Sequence, residues 1–277
     1  MKKIIGALKL MLPVLMLAAG IGYAGKIYWG YAKGRQEYRD LQNEYTSVYA
    51  GDEDYAPVVV LQDKEENEET MADKTVWKPL STPLPDDAPS RIKVDWQELS
   101  EKNNDLAAWI LIPAVDISYP VLQGEDNEYY LHRDINREHL FAGSIFMDAY
   151  NNASFYNYNT IIYGHNMRDG SMFARLKEFS NEATLRQCPY FWILTPDADY
   201  LYKICSIHQA SSGSDTFTVR FADYEEYMLW QDKMLSLSVP ATGETLEYQD
   251  RVVTLSTCTE NSTVRMTVQG KLVWKAS

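Results

Sequence analysis

The stretch "TLSTCTENSTVRM", Thr254–Met266, contains the end of one predicted strand and the start of the next. Alternation places Val253 and Leu255 on one face, which is typical of a half-buried strand, and this strand ends at Cys258. A short polar connection follows, and Arg265 opens the next strand. A connection of this length brings Arg265 back beside Cys258, so a thiol and a fixed positive charge are expected at one edge of the fold.

Cys258 is one of three cysteines, an odd number without any C-x-x-C pair. This count argues against a disulfide framework and against a structural zinc site. Cys188, beside a proline, and Cys205, inside an apolar run, are typical of buried cysteines that act as small hydrophobes. Cys258 instead has polar neighbours on both sides, so it is the candidate nucleophile. A buried structural cysteine is the alternative.

A thiol nucleophile needs a base or a cation that favours the thiolate. The chain has four histidines, of which His132, His139 and His208 are expected at the surface. His165 ends the apolar strand in "NTIIYGHNMRDGS", where an imidazole can face a cysteine at the end of a neighbouring strand. A structural histidine is the alternative. Arg265 likewise is either an exposed strand cation or a permanently charged donor beside the thiol.

The surrounding sequence has many short strands and few helices. Further strands are predicted in "WILIPAVDISYPVL", "AGSIFMD" and a hairpin, "YFWILTPDADYLYKICSIHQ". Asp95 with Glu98 three residues later is a capping signature, and helices are also predicted in "SMFARLKEF" and over residues 223–237. This pattern predicts a mostly β domain with peripheral helices, built as a closed or nearly closed barrel.

The N-terminal 32 residues have the character of a membrane anchor or a signal segment. Leu10–Gly25 has no charged residue, and Lys26, Tyr28 and Trp29 follow directly, as at a membrane interface. A cleaved signal peptide is the alternative. We favour the anchor because of the aromatic flank, and both interpretations export the rest of the chain.

Composition changes again after this segment. The runs "QDKEENEET" and "KPLSTPLPDDAPS" carry little apolar surface, so residues 33–90 are expected to form a partly disordered extracytoplasmic spacer. Residues 91–277 are expected to form the compact domain, and 45% hydrophobic residues in the chain are sufficient for its core. The net charge of −13 argues against nucleic acid as a partner.

Together these motifs resemble those of the class B sortases. "TLSTC" with an arginine on the next strand, "YGH" about 90 residues earlier, "GSIFMD" and "WILIPAVDISYPVLQGEDNEYYL" all match that pattern, in the same order along the chain. The resemblance covers roughly residues 95–274. It implies a closed barrel of about eight strands, with an N-terminal helix and an extra helix before the cysteine strand.

The resemblance also implies an activity and a set of roles. Cys258 would be the nucleophile of a transpeptidase, His165 the acid that protonates the leaving amine, and Arg265 a donor to the substrate carbonyl or oxyanion. Ser256 would contact substrate or support the site, and strand-end hydrogen bonding is the alternative. Neither cofactor nor metal is implied.

The implied partners are the C-terminal sorting signal of an exported protein, a cell-wall precursor amine or a pilin lysine, and the membrane through the N-terminal helix. The implied location is a single-pass cell-membrane protein with its catalytic domain outside. The resemblance suggests a sorting signal similar to the pentapeptide NPQTN, but other members of the family use different signals or build pili, so the motif stays open. Two other functions stay open on the sequence alone: a hydrolytic cysteine peptidase, and a membrane-anchored binding protein with a degenerate site.

Overall fold

The structure is a computed structural model that describes residues 2–48, 84–258 and 263–276. Its strands are β1 (Thr46–Val48), β2 (Ile92–Val94), β3 (Leu106–Ile112), β4 (Ile117–Leu122), β5 (Ile145–Met147), β6 (Asn159–His165), β7 (Tyr190–Leu194), β8 (Asp199–Ser211), β9 (Val252–Cys258) and β10 (Val264–Ala276). Its α-helices are α1 (Lys2–Tyr45), α2 (Trp96–Lys102), α3 (Glu182–Gln187) and α4 (Tyr224–Ser236). Short 3-10 segments cover Pro113–Val115, Tyr129–His132, Ala174–Ser180 and Asp215–Phe217.

Strands β3 to β10 close into a barrel in the order β10-β8-β7-β3-β4-β5-β6-β9. The pairs β4–β5 and β6–β9 are parallel, and the others are antiparallel. This architecture confirms the predicted barrel, including the helix, α4, that precedes the cysteine strand. The predicted hairpin forms β7 and β8, whereas "SMFARLKEF" ends in a 3-10 segment rather than an α-helix.

Large apolar side chains fill the barrel, among them the fully buried Trp109, Trp192 and Phe191. A second, polar set of buried side chains ties together the strands that lead to the cysteine. Thr254 on β9 donates to Asn159 on β6 (2.6 Å) and accepts from Gln269 on β10 (2.9 Å). Because these groups are buried and paired, they fix β6, β9 and β10 in register with one another.

Helix α4 covers the outer face of this part of the barrel. Asp223 caps it by accepting the Glu226 backbone N–H at 2.8 Å, and Tyr227, Trp230 and Met234 form its buried stripe. Asp95 caps α2 in the same way through the Glu98 N–H at 3.1 Å, as the sequence predicts.

The N-terminal region differs from its expected structure. Helix α1 continues well past residue 32, and Tyr38, Leu41 and Tyr45 on it are buried in the main core. β1 then pairs with β2. Residues 33–48 are therefore packed rather than part of a spacer, because the three buried side chains recur with helical spacing and form one apolar stripe.

Most of the expected spacer, residues 49–83, lies outside the described residues. Within the described part of the chain, no helix combines the length and the apolar character that crossing a membrane requires.

Candidate active site

The parallel ladder between β6 and β9 brings two distant parts of the chain together. It runs in unbroken register from Asn159 paired with Val252 to His165 paired with Cys258. Adjacent strands lie about 4.8 Å apart, so the backbones of the predicted nucleophile and the predicted acid are nearest neighbours at the same barrel edge. The juxtaposition follows from the register alone, which the buried polar side chains below it maintain.

Arg265 lies at the start of β10, on the other side of β9. The β9–β10 ladder pairs Thr267 with Ser256, and continuing that register by two residues brings Arg265 opposite Cys258. Its guanidinium carbon lies 5.7 Å from the ring centroid of Tyr163 and 5.7 Å from that of Phe217. These cation–π contacts restrict where the fixed charge can point.

Tyr163 is itself held in place by a hydrogen bond from its hydroxyl. Its hydroxyl donates to Asp148 Oδ2 at 3.0 Å, and Asn127 Nδ2 donates to the same oxygen at 2.8 Å. Asp148 is buried. A buried carboxylate thus fixes the ring against which Arg265 rests, and Tyr163 is not among the site residues predicted from the sequence. Its position two residues before His165 on the same strand was the available signal.

His165 is only 7% exposed, and its Nε2 lies 2.7 Å from the Leu131 carbonyl oxygen. A carbonyl oxygen can only accept, so Nε2 carries a hydrogen in both the neutral and the protonated ring. Any proton that the neutral ring gains is therefore added at Nδ1. This contact could not be predicted from the sequence, because the partner is a backbone group.

Gly164 allows His165 to reach this position. A Cβ at residue 164 would overlap Ile145 Cδ1 and would come within 2.7 Å of the Phe173 ring. Any side chain at residue 164 would therefore displace the end of β6 from its neighbours.

Ser256 is fully buried, with Tyr163 and Thr267 as its neighbours across the two ladders. Its hydroxyl lies 3.5 Å from the Thr257 carbonyl oxygen. Thr257 Oγ1 accepts the Met266 backbone N–H at 2.9 Å, which joins β9 to β10 next to the cysteine. Contact of Ser256 with substrate stays a prediction.

Of the other two cysteines, only Cys205 is as buried as expected. Cys205 is buried, and its burial raises the thiol pKa to about 12, whereas Cys188 is half-buried and its burial also raises its pKa. Both thiols are therefore poor thiolate formers.

The remaining histidines agree only in part with expectation. His132 and His139 are exposed, and the His132 ring centroid lies 5.6 Å from that of His165. His208 was expected at the surface but is 5% exposed. It lies between Ser206 Oγ (3.0 Å) and Thr216 Oγ1 (3.2 Å), because α4 and the 3-10 segment before it cover this part of β8. Burial lowers the pKa of His208 to about 4.

The described residues contain no cluster of three or more His, Cys, Asp or Glu side chains arranged to hold a metal ion. The barrel edge also carries a cysteine, a histidine and an arginine at the ends of three neighbouring strands, and these are residue types that nucleophilic catalysis by a thiol uses.

The chain is similar to known proteins in both sequence and structure. The Sortase domain family matches residues 110–273. Sortase B of Listeria monocytogenes is 36% identical over 190 residues, which covers 66% of this chain and 76% of that protein. Among solved structures, sortase B from Bacillus anthracis in complex with AAEK1 gives a TM-score of 0.68 at 27% identity, over 89% of this chain and 99% of that one. The Staphylococcus aureus sortase B–substrate complex gives 0.61 at 30% identity, over 64% and 83%.

Proposed function

The chain belongs to the sortase family, within its class B branch of cysteine transpeptidases, and from this premise we propose that Cys258, His165 and Arg265 carry the reaction. The thiolate of Cys258 attacks a backbone carbonyl carbon of a sorting-signal peptide. The C–N bond then breaks, and the acyl part of the peptide stays on sulfur as a thioester. An incoming amine attacks this thioester and takes the chain.

One observation carries this assignment, namely the β6–β9 register that makes His165 the direct neighbour of Cys258. The register of a hydrogen-bonded ladder determines which two residues are neighbours at its end. The same strands would place both residues at opposite barrel ends if the pairing were antiparallel.

His165 acts through Nδ1, since its Nε2–H is engaged by the Leu131 carbonyl oxygen. As imidazolium it gives the Nδ1 proton to the departing amine, which leaves as a neutral group. The neutral ring then accepts a proton from the incoming amine as the thioester breaks and the thiolate is released. The Leu131 carbonyl supports the imidazolium through both steps.

Arg265 supplies charge stabilisation. Its guanidinium stays protonated and is restricted by the rings of Tyr163 and Phe217. From that position it donates to the carbonyl oxygen as negative charge develops on it, which stabilises the tetrahedral intermediate. Ser256 is buried beside these strand ends and supports the site from there.

The finer partners and the location belong to the same proposal. The acceptor is an amine of a cell-wall precursor or a pilin lysine. The exposed apolar side chains of α1, among them Met16, Leu17, Ile21 and Trp29, support membrane attachment through this helix with the barrel outside. The division of the chain becomes an N-terminal attachment segment, a connection within residues 49–83, and a catalytic unit that includes Tyr38 to Tyr45.

The test follows the covalent intermediate. A peptide carrying NPQTN and triglycine as the amine are mixed with the full chain, and the products and the enzyme mass are recorded. We expect a transpeptidation product and an acyl adduct that maps to Cys258. Cys258→Ala should form neither at unchanged thermal stability, and His165→Gln should form both far more slowly.

Two outcomes separate the alternatives. A free acid as the only product, at saturating amine, would identify a hydrolytic peptidase. If no adduct forms with a panel of sorting peptides, while a peptide binds without turnover, the chain is a binding protein.

A further inference from the structure

The Leu131 carbonyl that engages His165 is held in place by the segment that follows Ala142. Gly143 has φ of +55°, and a Cβ there would overlap the Leu131 carbonyl oxygen and come within 2.8 Å of the Tyr130 carbonyl oxygen. The Ser144 backbone N–H donates to the Tyr130 carbonyl at 2.9 Å, and Ser144 Oγ donates to the Arg133 carbonyl at 2.7 Å. Gly143 and Ser144 therefore fix the short segment that contains Leu131.

A side chain of α1 secures these two residues in turn. Tyr38 is 5% exposed, and its hydroxyl donates to the Gly143 carbonyl oxygen at 2.5 Å and lies 3.1 Å from Ser144 Oγ. The result is a continuous path of contacts from α1 through Gly143 to the Leu131 carbonyl and His165 Nε2.

Helix α1 also contacts the loop on the other side of His165. Arg35 forms an ion pair with Asp169, whose carboxylate accepts the Ser171 backbone N–H at 3.1 Å. The ring of Tyr38 meets that of Tyr119 edge-on at 5.2 Å, and Tyr119 Oη accepts the Met172 N–H at 3.1 Å.

Phe173, the residue after Met172, connects this loop back to His165. The Phe173 N–H donates to the His165 carbonyl at 3.0 Å, so the loop that Arg35 and Tyr119 contact ends on the histidine itself. One helix thus reaches both chain segments that determine where the imidazole lies.

We propose that α1 is a positioning element of the active site, in which Tyr38 holds the Leu131 carbonyl against His165 Nε2 and Arg35 holds the loop that follows His165. The inference rests on the proposed catalytic role of His165. Neither residue touches substrate. They act by keeping the imidazole in the orientation that presents Nδ1 to the reacting thiol and amine.

Loss of the Tyr38 hydroxyl should therefore weaken the support of the imidazolium while leaving substrate binding unchanged. A neutral hydrogen bond contributes about 0.5–1.5 kcal/mol, which corresponds to a roughly two- to tenfold effect. We expect Tyr38→Phe to lower kcat by about that factor with KM unchanged. Arg35→Met should have a smaller effect, about twofold at most, since its ion pair is partly exposed.

The matched control lies on the same helix. Tyr45 is also buried on α1, but its hydroxyl faces Glu44 and not the site. Tyr45→Phe removes the hydroxyl of another tyrosine that packs against the core from the same helix, so any general loosening of α1 should appear in both variants.

The direct readout is ¹⁵N NMR of the histidine rings in the full chain. The titration uses a Cys258→Ala background, so that the His165 ring titrates without the thiol beside it. Because the His132 ring lies 5.6 Å away, His132→Gln assigns the signals. The charged groups near this barrel edge, Arg265, Asp148 and Asp169, are present in every variant.

We expect the His165 midpoint to fall by about 0.4 to 1 pH unit in Tyr38→Phe, because the Nε2–H···O=C bond that favours the imidazolium is weakened. The Nε2–H tautomer should also lose population. In Tyr45→Phe neither quantity should change.

The inference is overturned if Tyr38→Phe matches Tyr45→Phe in midpoint, tautomer and kcat. That result is distinguishable from failure of the proposed function, which would appear as near-normal turnover in His165→Gln. A Tyr38→Phe chain with an altered KM but normal kcat and midpoint would also overturn it, because the hydroxyl would then act on the groove.

Discussion

Replacing Arg265 by lysine keeps a positive charge at the start of β10 but removes the planar guanidinium. In the structure the guanidinium carbon lies 5.7 Å from the ring centroids of both Tyr163 and Phe217. A lysine ammonium can retain part of this cation–π attraction, so the charge stays near the site. The lysine lacks the planar set of N–H donors with which the guanidinium can bond a carbonyl oxygen while it packs on the two rings.

The two contributions differ in size. A partly exposed cation–π contact is worth about 0.5–1 kcal/mol, so removing one ring with Phe217→Leu should slow acylation about two- to fivefold. Loss of a well-placed oxyanion donor typically costs about 10²–10³ in rate, or about 2.7–4 kcal/mol. If Arg265 stabilises the oxyanion, Arg265→Lys and Arg265→Ala should both fall in this second range.

The assay is single-turnover acylation of Cys258 by the NPQTN peptide, followed by mass spectrometry. Alkylation of Cys258 by iodoacetamide is the internal control, since this reaction forms no oxyanion on a carbonyl and should slow much less. An Arg265→Lys chain that acylates within about fivefold of the natural one would refute the reasoning and reduce Arg265 to a charge that packs on two rings.

Three further predictions concern protonation. Methanethiosulfonate at pH 8 should label Cys258 and leave Cys205 unlabelled, because a buried thiol with a pKa of about 12 is ionised in only about one molecule in 10⁴; peptide mapping that finds the label on Cys205 would contradict this. Burial lowers the pKa of His208 to about 4, so the unfolded chain binds the proton more tightly and stability falls as pH drops from about 6.5 towards 4. In urea unfolding, the free energy of unfolding of the natural chain should therefore fall by about 2–3 kcal/mol more than that of His208→Gln between pH 7 and pH 4.5. Burial, followed by the hydrogen bond and charge of Asp134, raises the pKa of Glu37 to about 7, so stability present at acidic pH is lost as pH rises from about 4.5 through 7; Glu37→Gln should flatten this loss by about 1–2 kcal/mol after allowance for solvent screening, and an unchanged pH profile would count against the docking of α1.

The barrel was predictable because its strands are short apolar runs separated by turn residues. The runs that become β6 and β9 also end in polar, chemically active residues, which singled out His165 and Cys258 before any pairing was known. What a single sequence lacks is the pairing itself. No local pattern states that β6 lies beside β9, and here the resemblance to a family supplied that step.

Three features were beyond this reasoning for physical reasons. The Leu131 carbonyl is a backbone group, and its identity as the partner of His165 depends on where Gly143 lets the chain pass. His208 was expected at the surface because its strand seemed to end there, yet the packing of α4 buries it. The buried stripe on α1 was overlooked because the acidic and proline-rich runs that follow it dominate the local composition.

The parallel pairing of β6 with β9 also sets when activity can appear as the chain folds. A parallel pair cannot form from a hairpin, and these two strands are roughly 90 residues apart. Closing the long loop between them costs conformational entropy before the first hydrogen bond of the ladder can form. β7, β8 and α4 all lie within that loop. A partly folded chain therefore keeps its thiol away from the imidazole, and the first acyl transfer marks completion of the barrel.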